Sequence, residues 1–205
     1  IGSVILQVAD NSLGSLSVAA VTAGGKVLNF LACPVVALGS AMATYGAQNV
    51  GASKYDRLNK GLYASSLMGC GYSLLAFAIA WFFGRNLTGL FVSGDSSAQL
   101  IELAQTYMLV NVLAYPLLTL VNVVRFMIQG MGFSMFAILA GVMEMIARSL
   151  AGMFLVPALG FFGAAMGSPL AWVAADIFLV PAYFRCRRVL MSQAHHLHVA
   201  ACGNE

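Results

Sequence analysis

The feature that most limits this chain is a succession of unbroken apolar runs, each about as long as a bilayer is thick. A hydrocarbon core of about 30 Å takes about 20 residues of helix to cross. Residues 28–47, 62–83, 103–124, 134–156 and 163–184 meet that length with few charges. Residues 1–13 are apolar too, but too short to span, and read as the last turns of a helix that begins upstream. Of the 205 residues, 60% are hydrophobic and 8% charged, against about 25% charged in an ordinary soluble domain. A soluble fold of this size cannot hide so much apolar surface. That excludes a soluble enzyme, a nucleic-acid binder and a disordered segment. A membrane barrel would show alternating segments of about 10 residues in place of continuous runs. The expected fold class is therefore all-α: a polytopic membrane helix bundle in the lipid bilayer, with five whole spans and a truncated first one.

Orientation follows from lysine and arginine near the span ends. Lys54, Arg57 and Lys60 in the 51–61 connection lie on the same side as Arg185, Arg187 and Arg188 when the spans alternate in direction. The opposite side shows Lys26 and Arg85, with Asp95 and Glu102. The first side is expected to be cytoplasmic, which places the C-terminus in the cytoplasm of a multi-pass protein of the plasma membrane. Loops and ends account for the net charge of +3. The charges left within or near the spans cancel, with Asp10, Glu144 and Asp176 set against Lys26, Arg125 and Arg148.

Charges in lipid need a reason, since one at the bilayer centre costs about 2.5–3.5 kcal/mol. Glu144 lies about 15 Å into its span at about 1.5 Å per residue, and Arg148 follows one turn later on the same face. Two readings stand open: a structural ion pair, or a polar site lining a transport cavity. Arg125, near the cytoplasmic end of its span, is expected to snorkel to the interface. Asp176 is expected to meet Arg185 or another helix, and Asp10 to pair with Lys26 across the first connection. Asn11, Asn29, Asn122, Gln7 and Gln129 add groups that lipid tolerates poorly, which points to a polar or wet interior.

Twenty-one glycines allow helices to approach closely, and Gly163-Ala-Ala-Met-Gly167 is a GxxxG. Pro34, Pro116, Pro169 and Pro181 each remove a backbone donor and are expected to bend or break a helix. Cys33 and Cys70, inside apolar runs, read as small buried hydrophobes with no disulfide. His195, His196 and His198 fall in a polar tail. The sequence holds no HExxH, GxSxG or P-loop, so no catalytic residue, metal site or nucleotide cofactor is expected.

Residues 43–57 read Ala-Thr-Tyr-Gly-Ala-Gln-Asn-Val-Gly-Ala-Ser-Lys-Tyr-Asp-Arg. This resembles the multidrug and toxic compound extrusion (MATE) family, in which a helix leaves for the cytoplasm through Gln-Asn-x-Gly-Ala and then basic residues. Here that pattern is Gln48, Asn49, Gly51 and Ala52, followed by Lys54 and Arg57. Asn11-Ser-Leu-Gly with Val18-Ala-Ala resembles the turn from the family's seventh helix to its eighth. Arg125 through Gln129, Gly130 and Ser134 resembles the exit of the tenth, and Glu144 with Arg148 a Glu-x-x-x-Arg pattern of the eleventh.

The resemblance implies a C-terminal six-helix lobe over residues 1–188 (helices seven to twelve, the first truncated) and a polar cytoplasmic tail over 189–205. Its partner would be the missing N-terminal lobe of the same protein. It implies half of an antiporter, coupled to sodium ions or protons, that exports organic cations or other drugs by alternating access and performs no enzymatic reaction. The helix-ten aspartate of one sodium-coupled branch falls near Leu118, so the coupling ion stays unassigned. Glu144, Arg148, Arg125, Asn122 and Asp10 are the candidates for groups facing the central cavity. The alternatives are a lipid-linked saccharide flippase of the same superfamily, which would line its cavity with more cations, and a non-transporting fragment or assembly partner.

Overall fold

The computed structural model describes residues 14–91 and 97–202, with the side chains of 97 and 195–202 left aside. The run at 1–13, Asp10 and the tail histidines lie outside the described residues or side chains. Among the described residues every regular element is helical. The helices are α1 (Ser15–Gly51), α2 (Asp56–Gly89), α3 (Ser97–Leu113), α4 (Tyr115–Gly130), α5 (Ser134–Leu150), α6 (Val156–Leu159) and α7 (Phe161–Cys202). A π-helical turn at Ala151–Leu155 joins α5 to α6. Four helical stretches are long and apolar enough to cross a membrane, and α3 with α4, bent by 49° at their junction, is a fifth when the pair is counted as one span.

The apolar runs located the spans but understated the helices. Residues 15–27, read as a connection, are the first turns of α1, and Arg85 and Arg185 are helical as well. Hydropathy marks only the part of a helix that touches hydrocarbon, while backbone bonding runs on past it.

Of the four prolines expected to disturb helices, only Pro116 sits at a break. It follows Ala114, the non-helical hinge of the bent span, and offers no N–H to the Val112 carbonyl. Pro34, Pro169 and Pro181 lie inside continuous helices. Pro157, not singled out from the sequence, stands just past the π turn, where the Val156 N–H reaches back five residues to the Ala151 carbonyl. Neighbours and a local change of helix type absorb a missing donor in lipid.

The bent span is the middle of the bundle. α4 packs against α1, α2, α5 and α7, and α3 against α1, α2 and α7. Val123, Met127 and Ile128 of α4 are wholly buried. Packing here follows the logic of lipid, where small residues go inward and large ones outward. On α2 the inner face is Ser65, Gly69, Ser73, Ala76, Ala80, Gly84 and Thr88, at helical spacing. Its outer face shows Leu67, Leu74, Leu75, Trp81 and Phe82. The buried hydroxyls of Ser65, Ser73 and Thr88 each donate to the carbonyl four residues earlier at 2.8 Å, so they need no partner helix. Cys33 and Cys70 correct the sequence reading, since both are exposed on the outside of the bundle. An apolar run in lipid is apolar on both faces and does not say which one is inside.

Candidate functional site

The two helix exits come first, because they set the ends of α1 and α4. After Gln48 and Asn49 the chain closes α1 with two reversed bonds: Ser53 N–H to the Val50 carbonyl, and Lys54 N–H to the Asn49 carbonyl. Ser53 takes the left-handed conformation that this cap demands. Asn49 is buried and its Nδ2 donates to the Tyr45 carbonyl at 2.8 Å, whereas Gln48 and Gly51 are exposed. α4 ends the same way: Gly132 has φ +94, Gly132 N–H donates to the Gln129 carbonyl and Phe133 N–H to that of Ile128.

Gln129 is exposed; Gly130 has a packing role instead. A Cβ on it would lie 2.1 Å from the Ala43 carbonyl oxygen of α1. Gly130→Ala therefore has to push α1 and α4 apart, and is expected to lower stability by about 1–3 kcal/mol, read as a drop in detergent melting temperature. Gly163 of the GxxxG has a comparable constraint, its Cβ position 2.2 Å from the Leu155 carbonyl oxygen.

Three charged side chains meet between α4 and α5. Glu144 of α5 takes a guanidinium on each carboxylate oxygen: Arg125 of α4 on Oε1, and Arg148 of its own helix on Oε2 at 3.4 Å. All three are about three-quarters covered or more. Arg125 thus corrects the expectation of snorkelling. A carboxylate on the next helix offers the guanidinium a charge-assisted bond, and the side chain turns inward to reach it. The Nε atoms of Arg125 and Arg148 are buried without a hydrogen-bond partner among the described residues.

Asp176 of α7 is the group that the sequence undervalued. It is 7% exposed, and neither carboxylate oxygen has a hydrogen-bond partner among the described residues. It lies within the electrostatic reach of Glu144 and Arg125. Arg185, the expected partner, is exposed. Nine residues at 3.6 per turn put it on the opposite side of the helix. Arg187 bridges instead to Asp56 of α2 at 3.7 Å. A signal was available: neither Trp172, Val173, Leu179 nor Val180, one turn away on either side, can neutralise a carboxylate.

Beside this cluster is a cavity of about 620 Å³. Its wall comes from α1, α3, α4, α5 and α7, and Lys26, Asn29, Tyr115, Arg148, Ser168 and Trp172 are among the lining residues. The Tyr115 hydroxyl donates to the Leu28 carbonyl at 2.7 Å, and its ring meets Trp172 edge-on at 6.2 Å. Asn111 Nδ2 crosses from α3 to the Ala165 carbonyl of α7 at 3.3 Å. Lys26 stands in α1, its ammonium 5.6 Å from the centre of the Phe91 ring. Asn122 lies elsewhere, bonded to the Leu118 carbonyl of its own helix at 2.8 Å. Asp10 lies outside the described residues.

The family described as MatE matches residues 1–150. Among solved structures, a MATE in its bent conformation is similar with TM-score 0.77 and 19% identity, over 87% of this chain and 40% of that one. An inward-facing multidrug resistance MATE transporter of the MOP superfamily matches with TM-score 0.74 and 18% identity, over 87% and 40%. A MOP-superfamily transporter from Pyrococcus furiosus, whose binding pocket is described as reversed in polarity, matches with TM-score 0.73 and 22% identity, over 87% and 39%. At these identities the likeness is one of fold. The chain spans about 40% of the length of the structures it matches. No curated protein is a significant match in sequence.

Proposed function

This chain belongs to the MatE family, and from that premise we propose that it forms one lobe of an ion-coupled exporter that moves small amphipathic molecules by alternating access. The observation that carries the reading is a charged cluster inside a bundle whose outer surface is apolar. Arg125, Glu144, Arg148 and Asp176 come from three helices, and Arg148 also lines the cavity. Ionisable groups kept within spans are costly, and their usual use is a substrate or ion path.

A second lobe of the same protein would close the cavity and rock against this one. The connection from α1 to α2 that carries Lys54, the first turn of α2 with Arg57, and the stretch of α7 with Arg187 and Arg188 would face the cytoplasm. Drugs and other xenobiotics are the cargo that the family resemblance suggests, and a sodium ion or a proton the driving cation. Within the cluster, Glu144 already neutralises guanidinium charge. Asp176 has an acceptor on each oxygen that is unmet among the described residues, and is the better seat for a coupling cation.

The test is gradient-driven transport by the full-length protein that carries this chain, purified and reconstituted into liposomes. An imposed sodium or proton gradient should drive a fluorescent amphipathic dye across the bilayer. Dye movement indifferent to both gradients, in protein shown to be folded and inserted, would overturn the reading.

A further inference from the structure

We propose that the cavity selects an anionic group, so that this lobe takes amphipathic organic anions, recognised through a carboxylate or phosphate by Lys26 and Arg148. The inference rests on the transporter reading and sharpens it at one point, the charge of the cargo.

Two cations line the cavity, Lys26 from α1 and Arg148 from α5, and no carboxylate is among its described lining residues. Neither nearby acid of the cluster lines the cavity. Glu144 is shared by two arginines, which leaves that trio with one net positive charge. Asp176 is buried, is not among the lining residues, and lies in the field of Arg125 and Glu144. Lys26 meets the Phe91 ring and no carboxylate among the described residues. An organic cation would therefore meet repulsion from both ends of this wall, whereas an oxyanion would meet an ammonium and a guanidinium, the pair suited to point-charge and planar recognition.

The remainder of the wall suits the remainder of such a molecule. Trp172, Tyr115, Leu118 and Val21 supply apolar and aromatic surface, and Asn29 and Ser168 supply neutral donors. A volume of about 620 Å³ is in the range that holds a drug-sized ligand.

The experiment compares two xanthene dyes of similar shape and opposite charge, a fluorescein carboxylate and a rhodamine ester, on the full-length transporter in lipid nanodiscs. The fluorescein should bind at least about tenfold more tightly. Lys26→Glu, on an exposed side chain with no ion pair among the described residues, should remove or invert that preference, since one reversed charge near the ligand is worth about a decade or more in affinity. If Lys26→Glu does not insert, Lys26→Gln should still narrow the ratio. Tighter binding of the rhodamine, or an unchanged ratio in the variant, overturns the inference.

Competition by a soluble aryl phosphate would assign the site to free anions. Competition by phosphatidylglycerol alone would assign it to a lipid headgroup, and either outcome keeps the anionic selection. Gradient-driven efflux of rhodamine but not fluorescein would sink this inference and leave the transporter reading standing. Movement of neither dye under either gradient would sink the transporter reading itself.

Discussion

Glu144→Gln is expected to be the most destabilising change in the charged cluster. The substitution keeps the shape of the side chain and removes the one carboxylate that faces both Arg125 and Arg148. Two mostly covered guanidiniums then lose the carboxylate they share, and Asp176, in the field of Arg125, is hydrogen-bonded to neither. Breaking a buried pair in this way costs about 3–5 kcal/mol, and the partial exposure of these side chains places the expectation near 3 kcal/mol by the same rule. The measurement is thermal unfolding of the purified full-length protein in detergent. Adding Arg125→Met should recover part of the loss, because it restores the net charge of the original trio. If Glu144→Gln melts with the parent protein, the cluster does not hold α4 to α5.

Asp176→Asn is expected to do the reverse, keeping the fold and losing the coupling. The aspartate breaks no bond when neutralised, since neither oxygen has a partner among the described residues. Removing an unmet buried acceptor charge is expected to leave stability level or raise it by about 1–3 kcal/mol. In liposomes the same variant should bind dye normally but no longer respond to an imposed sodium or proton gradient. A variant that melts lower and still couples would mean that Asp176 is a structural acceptor and that the driving cation sits elsewhere. The two substitutions therefore separate a carboxylate that holds helices together from one that exchanges its partner.

Much of the architecture was legible in the residues. Lipid demands that each crossing segment satisfy its own backbone and present apolar side chains, so span-length apolar runs marked the four long helical stretches and the bent pair of α3 with α4. Glu144 and Arg148 were legible as a pair, because four residues along a helix always share a face. The break at Pro116 was legible as well, although Pro34, Pro169 and Pro181 show that a missing donor does not by itself end a helix.

What stayed hidden depended on which helix stands beside which. Arg125 was read as an interfacial side chain because it stands near the end of its span, and its partner is on the next helix. Asp176 was expected to find Arg185, and helical rotation took the two to opposite faces. Lys26 was placed at the outer start of its span, and the helix carries it into the cavity wall.

The sequence by itself determined the solvent, the class of element and where the membrane-length stretches lie, since those follow from the cost of moving peptide groups and charges into hydrocarbon. Only the tertiary structure decided which charges neutralise one another, which carboxylate is left without a partner, and that the cavity wall is cationic. In lipid both faces of a helix are apolar, so hydropathy carries no record of neighbours. Pairing is settled by close packing at small residues such as Gly130, where one backbone touches the next.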